Sequence, residues 1–266
     1  MKIGSLLNGF IRHLRGERNA SEHTIEAYVH DIIEFARLVR DSDERFNNWK
    51  SVDFDQARTF QMKLFEAGDC KRSQRRKLSA LRSFFRYLQK TGQLDSNPFS
   101  RMPPLKVERP LPKVMNLSQI DQLLAAIPAY WKKAVETGVA KTAEGAEFAS
   151  ARDVALVEVI YSGGLRISEA VGLNRSDLDQ LSGVAKVRGK GKKERFAMIG
   201  RWANKALTEY FRLCRERGWG QKQESPIFLN RFGHRITTRG IASQLKHFAE
   251  KCGYDKDKFY ELFKFL

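Results

Sequence analysis

The chain has 266 residues, of which 42% are hydrophobic, so it can bury one large core or two ordinary ones. Its formal net charge of +17 indicates a polyanionic partner, and nucleic acid is the first candidate. No apolar run reaches the roughly 20 residues of a membrane span, and the amino-terminal residues are too charged for a signal peptide. We therefore expect a soluble, cytoplasmic protein without a membrane partner.

The three cysteines are odd in number and widely spaced, and they have no histidine at metal-ligand spacing. This pattern indicates neither a disulfide framework nor a zinc site. We expect reduced thiols and no bound metal.

Residues 1 to about 97 are predicted to form several helices. Ser21 is a candidate N-cap, and Tyr28, Ile32 and Phe35 follow it at helical spacing. A second periodic stretch covers residues 54–65, and a third covers residues 71–90.

The third stretch carries eight basic residues and no acidic one. On a helical wheel Arg82 and Arg86 lie within about 20° of Arg75, and the leucines and phenylalanines fall on the opposite side. A solvated charged face would mix signs, so we predict a surface that contacts the phosphates of a nucleic acid. The predicted contacts on this helix are Arg72, Arg75, Arg76, Lys77, Ser79, Arg82 and Arg86.

Residues 97–112 hold five of the seven prolines and are predicted to form an extended linker. A second domain then begins with a helix at residues 117–124. Residues 131–150 are rich in alanine and polar residues, which indicates an insertion or a flexible extension.

Residues 152–162 predict an apolar helix that ends at a Gly-Gly pair, and the next helix opens at Ile167 with Arg166 at the junction. Residues 183–200 alternate apolar and polar positions around Gly-Lys-Gly-Lys-Lys, which predicts a β-hairpin with lysines at its tip. Two further helices are predicted at about 202–216 and 239–251.

Arg166 and Lys190 suit a phosphodiester site. Arginine binds phosphate through two hydrogen bonds and keeps its charge, whereas a lysine can donate a proton to a leaving oxygen. Neighbouring cations lower the pKa of such a lysine. The other predicted DNA contacts of this domain are Lys192, Lys193, Arg195 and Arg239.

Six stretches in order resemble tyrosine recombinases of the phage-integrase and Xer type. They begin near residue 17 and extend to about residue 241, and two of them are YSGGLRISEAVGLNRSDLD and VRGKGKKERFAMIG. The resemblance covers residues 1 to about 253.

The resemblance implies a mainly α protein of two domains that binds double-stranded DNA. Residues 1–104 would be a helical, SAM-like core-binding domain and residues 105–114 a linker. Residues 115–266 would be an incomplete α+β catalytic domain with a small antiparallel sheet. The family breaks and rejoins DNA through a 3′-phosphotyrosyl intermediate, without metal, cofactor or small-molecule substrate.

The resemblance also implies roles for individual residues. Arg166 matches the family's first catalytic arginine, Lys190 matches its lysine, and Glu169 stands where an acidic residue orients the site. Glu169 as a plain surface residue is the alternative reading.

The sequence departs from the family where a His-x-x-Arg box, a second His or Trp and a nucleophilic tyrosine are expected. No histidine here is followed by arginine three residues on, His234 is read as a loop residue, and neither Tyr254 nor Tyr260 follows such a box. We therefore expect a truncated, inactive recombinase. The alternatives are a DNA-binding module that blocks or regulates an intact recombinase protomer, and a helix-turn-helix regulator, in which the lysine-rich hairpin would have no role.

Overall fold

The computed structural model describes residues 3–39, 49–107, 116–189 and 193–253. Within these ranges the protein is mainly α-helical, as predicted. The chain divides into two compact units, Met1–Pro110 and Leu111–Leu266, each with its own hydrophobic core. In the described part of the chain, no helix is both long and apolar enough to cross a membrane.

Helices make up the described part of the first unit. Two of them begin at side-chain caps: the Ser21 hydroxyl accepts the Thr24 N–H, as predicted, and Asp53 and Gln56 form a capping box. The four α-helices described there are α1 (Ile3–Gly16), α2 (Glu22–Val39), α3 (Phe54–Glu66) and α4 (Lys71–Lys90).

An aromatic cluster forms the core of the first unit, with Phe35 of α2 at its centre. Rings of four other segments lie 5.1 to 6.3 Å from the Phe35 ring, measured between centroids. They belong to Trp49, Phe60, Phe85 and Phe99. The apolar face of α4 is buried against this cluster, as its periodicity predicted.

Residues 97–102 do not form a linker, which corrects the prediction for the first half of the proline-rich segment. Phe99 and Met102 are buried in the core of the first unit. Asn97 holds the turn, because its side chain donates to the Arg82 carbonyl and accepts the Phe99 N–H. Proline prevented a helix here, but two large apolar side chains still drew the turn into the core.

Helices also dominate the second unit, where α6 packs between α5 and α8. The prediction of an insertion at 131–150 is wrong, because these residues form the end of α5 and the start of α6, and Phe148 is buried. Alanine is small enough to be buried between closely packed helices, so an alanine-rich stretch need not be exposed. The α-helices of the described residues are α5 (Leu117–Glu136), α6 (Ala143–Gly163), α7 (Ile167–Gly172), α8 (Arg201–Glu216) and α9 (Thr238–Lys251).

A three-stranded antiparallel sheet lies between α7 and α8 in the sequence. The predicted hairpin is its β2 (Val184–Arg188) and β3 (Glu194–Met198), and a short β1 (Leu178–Asp179), which was not predicted, pairs with β2. In the hairpin register Val187 lies opposite Arg195, and Arg188 lies opposite Glu194. This register brings Arg195 to the base of the lysine-rich turn.

We expect Phe99→Ala to destabilise the first unit by about 3 to 5 kcal/mol, because it empties a fully buried ring site. The measurement is urea unfolding of the full chain followed by circular dichroism. Phe65→Ala is the matched control, since Phe65 is 76% exposed and its truncation should change little. Equal stabilities of the two variants would contradict the burial of residues 97–102 in this core.

Candidate nucleic-acid interface and phosphodiester site

Arg166 is presented by a tight connection between two helices. Helix α6 ends at Gly163, and Gly164 follows it with a φ of +56°, in the left-handed region that favours glycine. Leu165 is buried, and Arg166 is the N-cap residue of α7. The Arg166 side chain is 57% exposed, so its guanidinium can reach an incoming phosphate.

Glu169 orients Arg166 from one turn along α7. Its carboxylate is 4% exposed and accepts the Arg166 backbone N–H at 3.0 Å and the Arg166 Nη1 at 2.8 Å. Burial alone would raise the pKa of Glu169, but the hydrogen bonds from Arg166 and Arg195 outweigh it and hold the pKa below its ordinary value. Glu169 is therefore an ionised, buried residue that holds Arg166, and not a plain surface residue.

Arg195 ties the hairpin to the same carboxylate. Its Nη2 donates to Glu169 Oε2 and to the Gly164 carbonyl, both at 3.0 Å. One guanidinium on β3 therefore contacts both the turn before Arg166 and the residue that orients it. Sequence reasoning named Arg195 only as a DNA contact and missed this pairing, because no local pattern links residues 26 positions apart.

Gly189, at the base of the lysine-rich turn, lies beside this carboxylate. The Gly189 N–H donates to the Lys193 carbonyl at 2.8 Å, and a Cβ on Gly189 would lie 3.4 Å from Glu169 Oε1. The base of the turn is therefore next to the Arg166 site. Lys190 and Lys192 lie outside the described residues, and Lys193 is exposed.

A second basic surface, here called the α4 groove, lies on the first unit. It has a volume of about 510 Å³ and contains four arginines and a serine from α4, facing the Pro103-Pro104 segment. Its lining residues are Tyr28, Arg72, Arg75, Arg76, Leu78, Ser79, Arg82, Pro103, Pro104 and Leu105.

The cations of α4 differ in how far they are neutralised. Arg72, Arg75 and Arg86 are exposed and form no ion pair with any carboxylate of the described residues. Arg82 donates to the carbonyls of Phe99 and Met102, both at 3.1 Å, so it also holds the 97–102 turn against α4. Carbonyl oxygens do not neutralise a guanidinium, so Arg72, Arg75 and Arg82 all contribute positive charge to the groove.

Lys77 lies in the interior, which removes it from the predicted set of DNA contacts. Its ammonium is buried between Glu34, at 2.6 Å, and Asp69, at 2.7 Å. Residues 75 to 77 lie on different sides of the helix, and position 77 faces the interior. Lys77 therefore stabilises the packing of α4 and is not positioned to contact phosphate.

Arg76 shares features of both the exposed groove arginines and the interior Lys77. It lines the groove and is 45% exposed at its side chain, but its Nη1 donates to the fully buried Asp31. Burial raises the pKa of Asp31. Sequence reasoning missed Asp31, although an acidic residue among the buried positions of α2 was the available signal.

One group of described residues has metal-ligand geometry: His30, Asp31 and Glu34 bring ligand atoms within 4.8 Å of one another. Both carboxylates already accept hydrogen bonds from cations, Asp31 from Arg76 and Glu34 from Lys77. These ion pairs supply the positive charge that a metal would otherwise provide. We interpret the group as part of the α2·α4 packing.

Two further predicted residues lie elsewhere in the second unit. Arg239 is exposed in the first turn of α9, and nothing in the described contacts joins it to Arg166. His234 is an exposed loop residue, as predicted, and its carbonyl accepts the Asn230 N–H at 2.7 Å. The neighbouring Arg235 side chain donates to the Val171 and Leu173 carbonyls, so it ties this loop to the end of α7.

Comparisons with known proteins agree across both units. Residues 7–92 match the phage integrase N-terminal SAM-like domain, and residues 113–262 match the phage integrase family. The chain is 35% identical over 248 residues to the tyrosine recombinase XerC of Pseudomonas entomophila (strain L48), which covers 92% of this chain and 75% of that protein. It is 33% identical to the XerC of Thermodesulfovibrio yellowstonii, covering 93% of this chain and 76% of that protein.

Solved structures share the fold at low identity. A lambda integrase dimer bound to a COC′ core site matches with a TM-score of 0.66 and 13% identity, over 99% of this chain and 85% of that chain. XerH bound to a palindromic difH substrate, in a post-cleavage complex, matches with a TM-score of 0.65 and 19% identity, over 91% of this chain and 68% of that chain.

We expect Glu169→Gln to lower the free energy of unfolding at neutral pH by about 2 kcal/mol, through weakened charge-assisted hydrogen bonds to Arg166 and Arg195. Because the folded pKa of Glu169 lies below its ordinary value of 4.5, the stabilisation is present above pH 4.5 and is lost as the pH falls through the folded pKa. The difference from the parent chain should therefore shrink in acid.

The measurement is urea unfolding at about four pH values between pH 3 and 7, which gives the dependence of the unfolding free energy on pH. Glu194→Gln is the matched control, since Glu194 is a 46% exposed partner of Lys186 and its loss should change little. A constant difference between Glu169→Gln and the parent at every pH would contradict the ionised anchor.

Proposed function

We propose that this chain, which belongs to the phage integrase family of tyrosine recombinases, binds double-stranded DNA with both of its units. The α4 groove contacts the phosphate backbone, and the Arg166 site binds one phosphodiester. The observation that carries the proposal is the carboxylate-bound Arg166 beside the base of the lysine-rich turn.

The two units have separate roles in this proposal. Residues 1–104 form the core-binding domain, residues 105–114 form the linker, and residues 115–266 form the catalytic domain. Two structural relatives, the lambda integrase dimer and XerH, were solved as complexes with their DNA sites, which supports a DNA partner for this chain.

The charge distribution supports phosphate contact by the first unit. Most basic side chains that pack into the interior are neutralised there, as Lys77 is by Glu34 and Asp69. The exposed arginines of the groove keep their charge, and the Ser79 hydroxyl beside them is a further donor. Such side chains bind any DNA sequence and release counterions, so we expect binding that weakens steeply with salt.

At the second site, the proposed role of Arg166 is to hold the non-bridging oxygens of the phosphodiester through its planar fork. Glu169 keeps that fork oriented and Arg195 keeps Glu169 in place. Lys190 is proposed to occupy the position from which the lysine of the family donates a proton to the leaving oxygen, and Lys192, Lys193 and Arg195 are proposed to add positive charge around the phosphate.

We further propose that the 266-residue polypeptide binds DNA without cleaving it. None of its histidines is followed by arginine three residues on, so two groups that the family places on the phosphate are missing from the printed sequence. Loss of one such donor costs about 100-fold to 1000-fold in rate. A polypeptide that retains its contacts to the DNA can still occupy recombination sites and block or regulate an intact recombinase protomer.

We expect the double variant Arg72→Ala, Arg75→Ala to weaken binding to all DNA sequences. The slope of log K against log salt should become shallower by about 2, one unit for each lost phosphate contact. The measurement is a gel shift or anisotropy titration at several salt concentrations. Arg15→Ala is the matched control, because Arg15 is exposed on the same unit but is paired with Glu22. Unchanged affinity and slope in the double variant would refute the groove assignment.

A nicked suicide substrate tests the absence of cleavage. We expect the 266-residue polypeptide to shift recombination-site DNA in a gel but to form no covalent adduct on a denaturing gel. Lys190→Ala should change the DNA affinity little, because a leaving-group donor acts mainly in the transition state. A covalent adduct that disappears in Tyr254→Phe or Tyr260→Phe would overturn the claim that this polypeptide does not cleave DNA.

A further inference from the structure

A polar cavity in the second unit lies outside both surfaces described above. It has a volume of about 350 Å³, within the usual range for small-ligand sites, and is formed by residues 175–180, the end of α8 and residues 220–223. Its walls include Arg175, Leu178, Phe211, Arg215, Gln221 and Gln223. We call it the Arg175 cavity.

Arg175 is an unusual guanidinium within the described part of this unit. Its Cζ lies 3.2 Å from the centroid of the Phe211 ring, and its Nε is buried without a hydrogen-bond partner. It forms no ion pair with any carboxylate of the described residues. By contrast, the buried guanidinium of Arg152 is paired with Asp153, and the half-buried Arg82 and Arg235 donate to backbone carbonyls.

A second cation faces the same space. Arg215, in the last turn of α8, lines the cavity, and it too forms no ion pair with a described carboxylate. Burial is the main cause that lowers the pKa of Arg175, and the nearby charge of Arg215 is a smaller one. Since arginine stays protonated, the cavity contains two like charges, and no described carboxylate forms an ion pair with either.

The rest of the lining fits an anion. No aspartate or glutamate is among the lining residues, and the side chains of Gln180, Gln221 and Gln223 can donate hydrogen bonds. Glu216 is adjacent to Arg215 in sequence, but Arg212 engages it. The carboxylates of α8 therefore form ion pairs with Arg212, and they do not neutralise the cations of the cavity.

We propose that the Arg175 cavity binds a phosphate group between the guanidinium groups of Arg175 and Arg215. The phosphate is either a backbone phosphate of bound DNA or the phosphoryl group of a small molecule. Phe211 holds the Arg175 plane in place, and the glutamine amides complete the hydrogen bonds to the oxygens. The proposal goes beyond the DNA contacts of the proposed function, because it concerns residues in neither the α4 groove nor the Arg166 site.

The test titrates inorganic phosphate into the 266-residue chain and follows binding by calorimetry and by the rise in Tm. We expect saturable binding that weakens at least tenfold in Arg215→Gln, an exposed position where the chain should still fold. Arg175→Gln should abolish binding, with circular dichroism to confirm folding. Arg212→Gln is the matched control, since Arg212 lies one turn away and is paired with Glu209 and Glu216.

A salt titration of DNA binding then separates the two sources of phosphate. If Arg215→Gln makes the salt slope shallower by about 1, the ligand is the DNA backbone. If the slope is unchanged while phosphate binding is lost, the ligand is a small phosphorylated molecule. Absence of saturable phosphate binding in the parent chain, or equal binding in Arg215→Gln and Arg212→Gln, overturns the proposal.

Discussion

The Glu169 carboxylate is the interaction on which the geometry of the second unit's site depends. It is buried, and three N–H groups from two residues converge on it: the backbone and side chain of Arg166 and the side chain of Arg195. Removing a buried charge from such an arrangement leaves its partners uncompensated, which costs more than the pair gains by forming. The same carboxylate therefore fixes the start of α7, the direction of Arg166 and the position of the hairpin.

Helix α4 shows how one basic segment serves two purposes. Side chains that face α2 are matched by interior carboxylates, as Lys77 and Arg76 are by Glu34 and Asp31. Arg72 and Arg75, on the solvent face, have no carboxylate partner among the described residues and keep their charge in the groove. Because an unpaired charge in the interior is costly, the cations that contact interior carboxylates stabilise the packing, whereas these solvent-facing arginines remain available to a polyanion.

Local patterns predicted much of this architecture. The three apolar-periodic stretches of the first unit became helices, the Gly-Gly pair ended α6, and alternation around the glycines gave the hairpin. Two predictions failed for the same reason. The proline-rich turn at 97–102 was predicted as part of a linker and the stretch at 131–150 as an insertion or flexible extension, yet Phe99 and Met102 of the first and Phe148 of the second are buried in the cores. Composition describes a segment alone, whereas burial depends on what packs against it.

The sequence by itself determined the family and the helical character of both units, and it led to the proposal that Arg166 binds phosphate. These conclusions follow from short-range residue spacing and from sequence motifs, neither of which depends on tertiary contacts. Only the tertiary structure decided that Arg195 holds Glu169, that Lys77 is interior, and that Arg175 and Arg215 face one cavity. Each of those depends on residues brought together over distances that no local periodicity encodes, and on the low-dielectric interior that makes pairing a charge necessary.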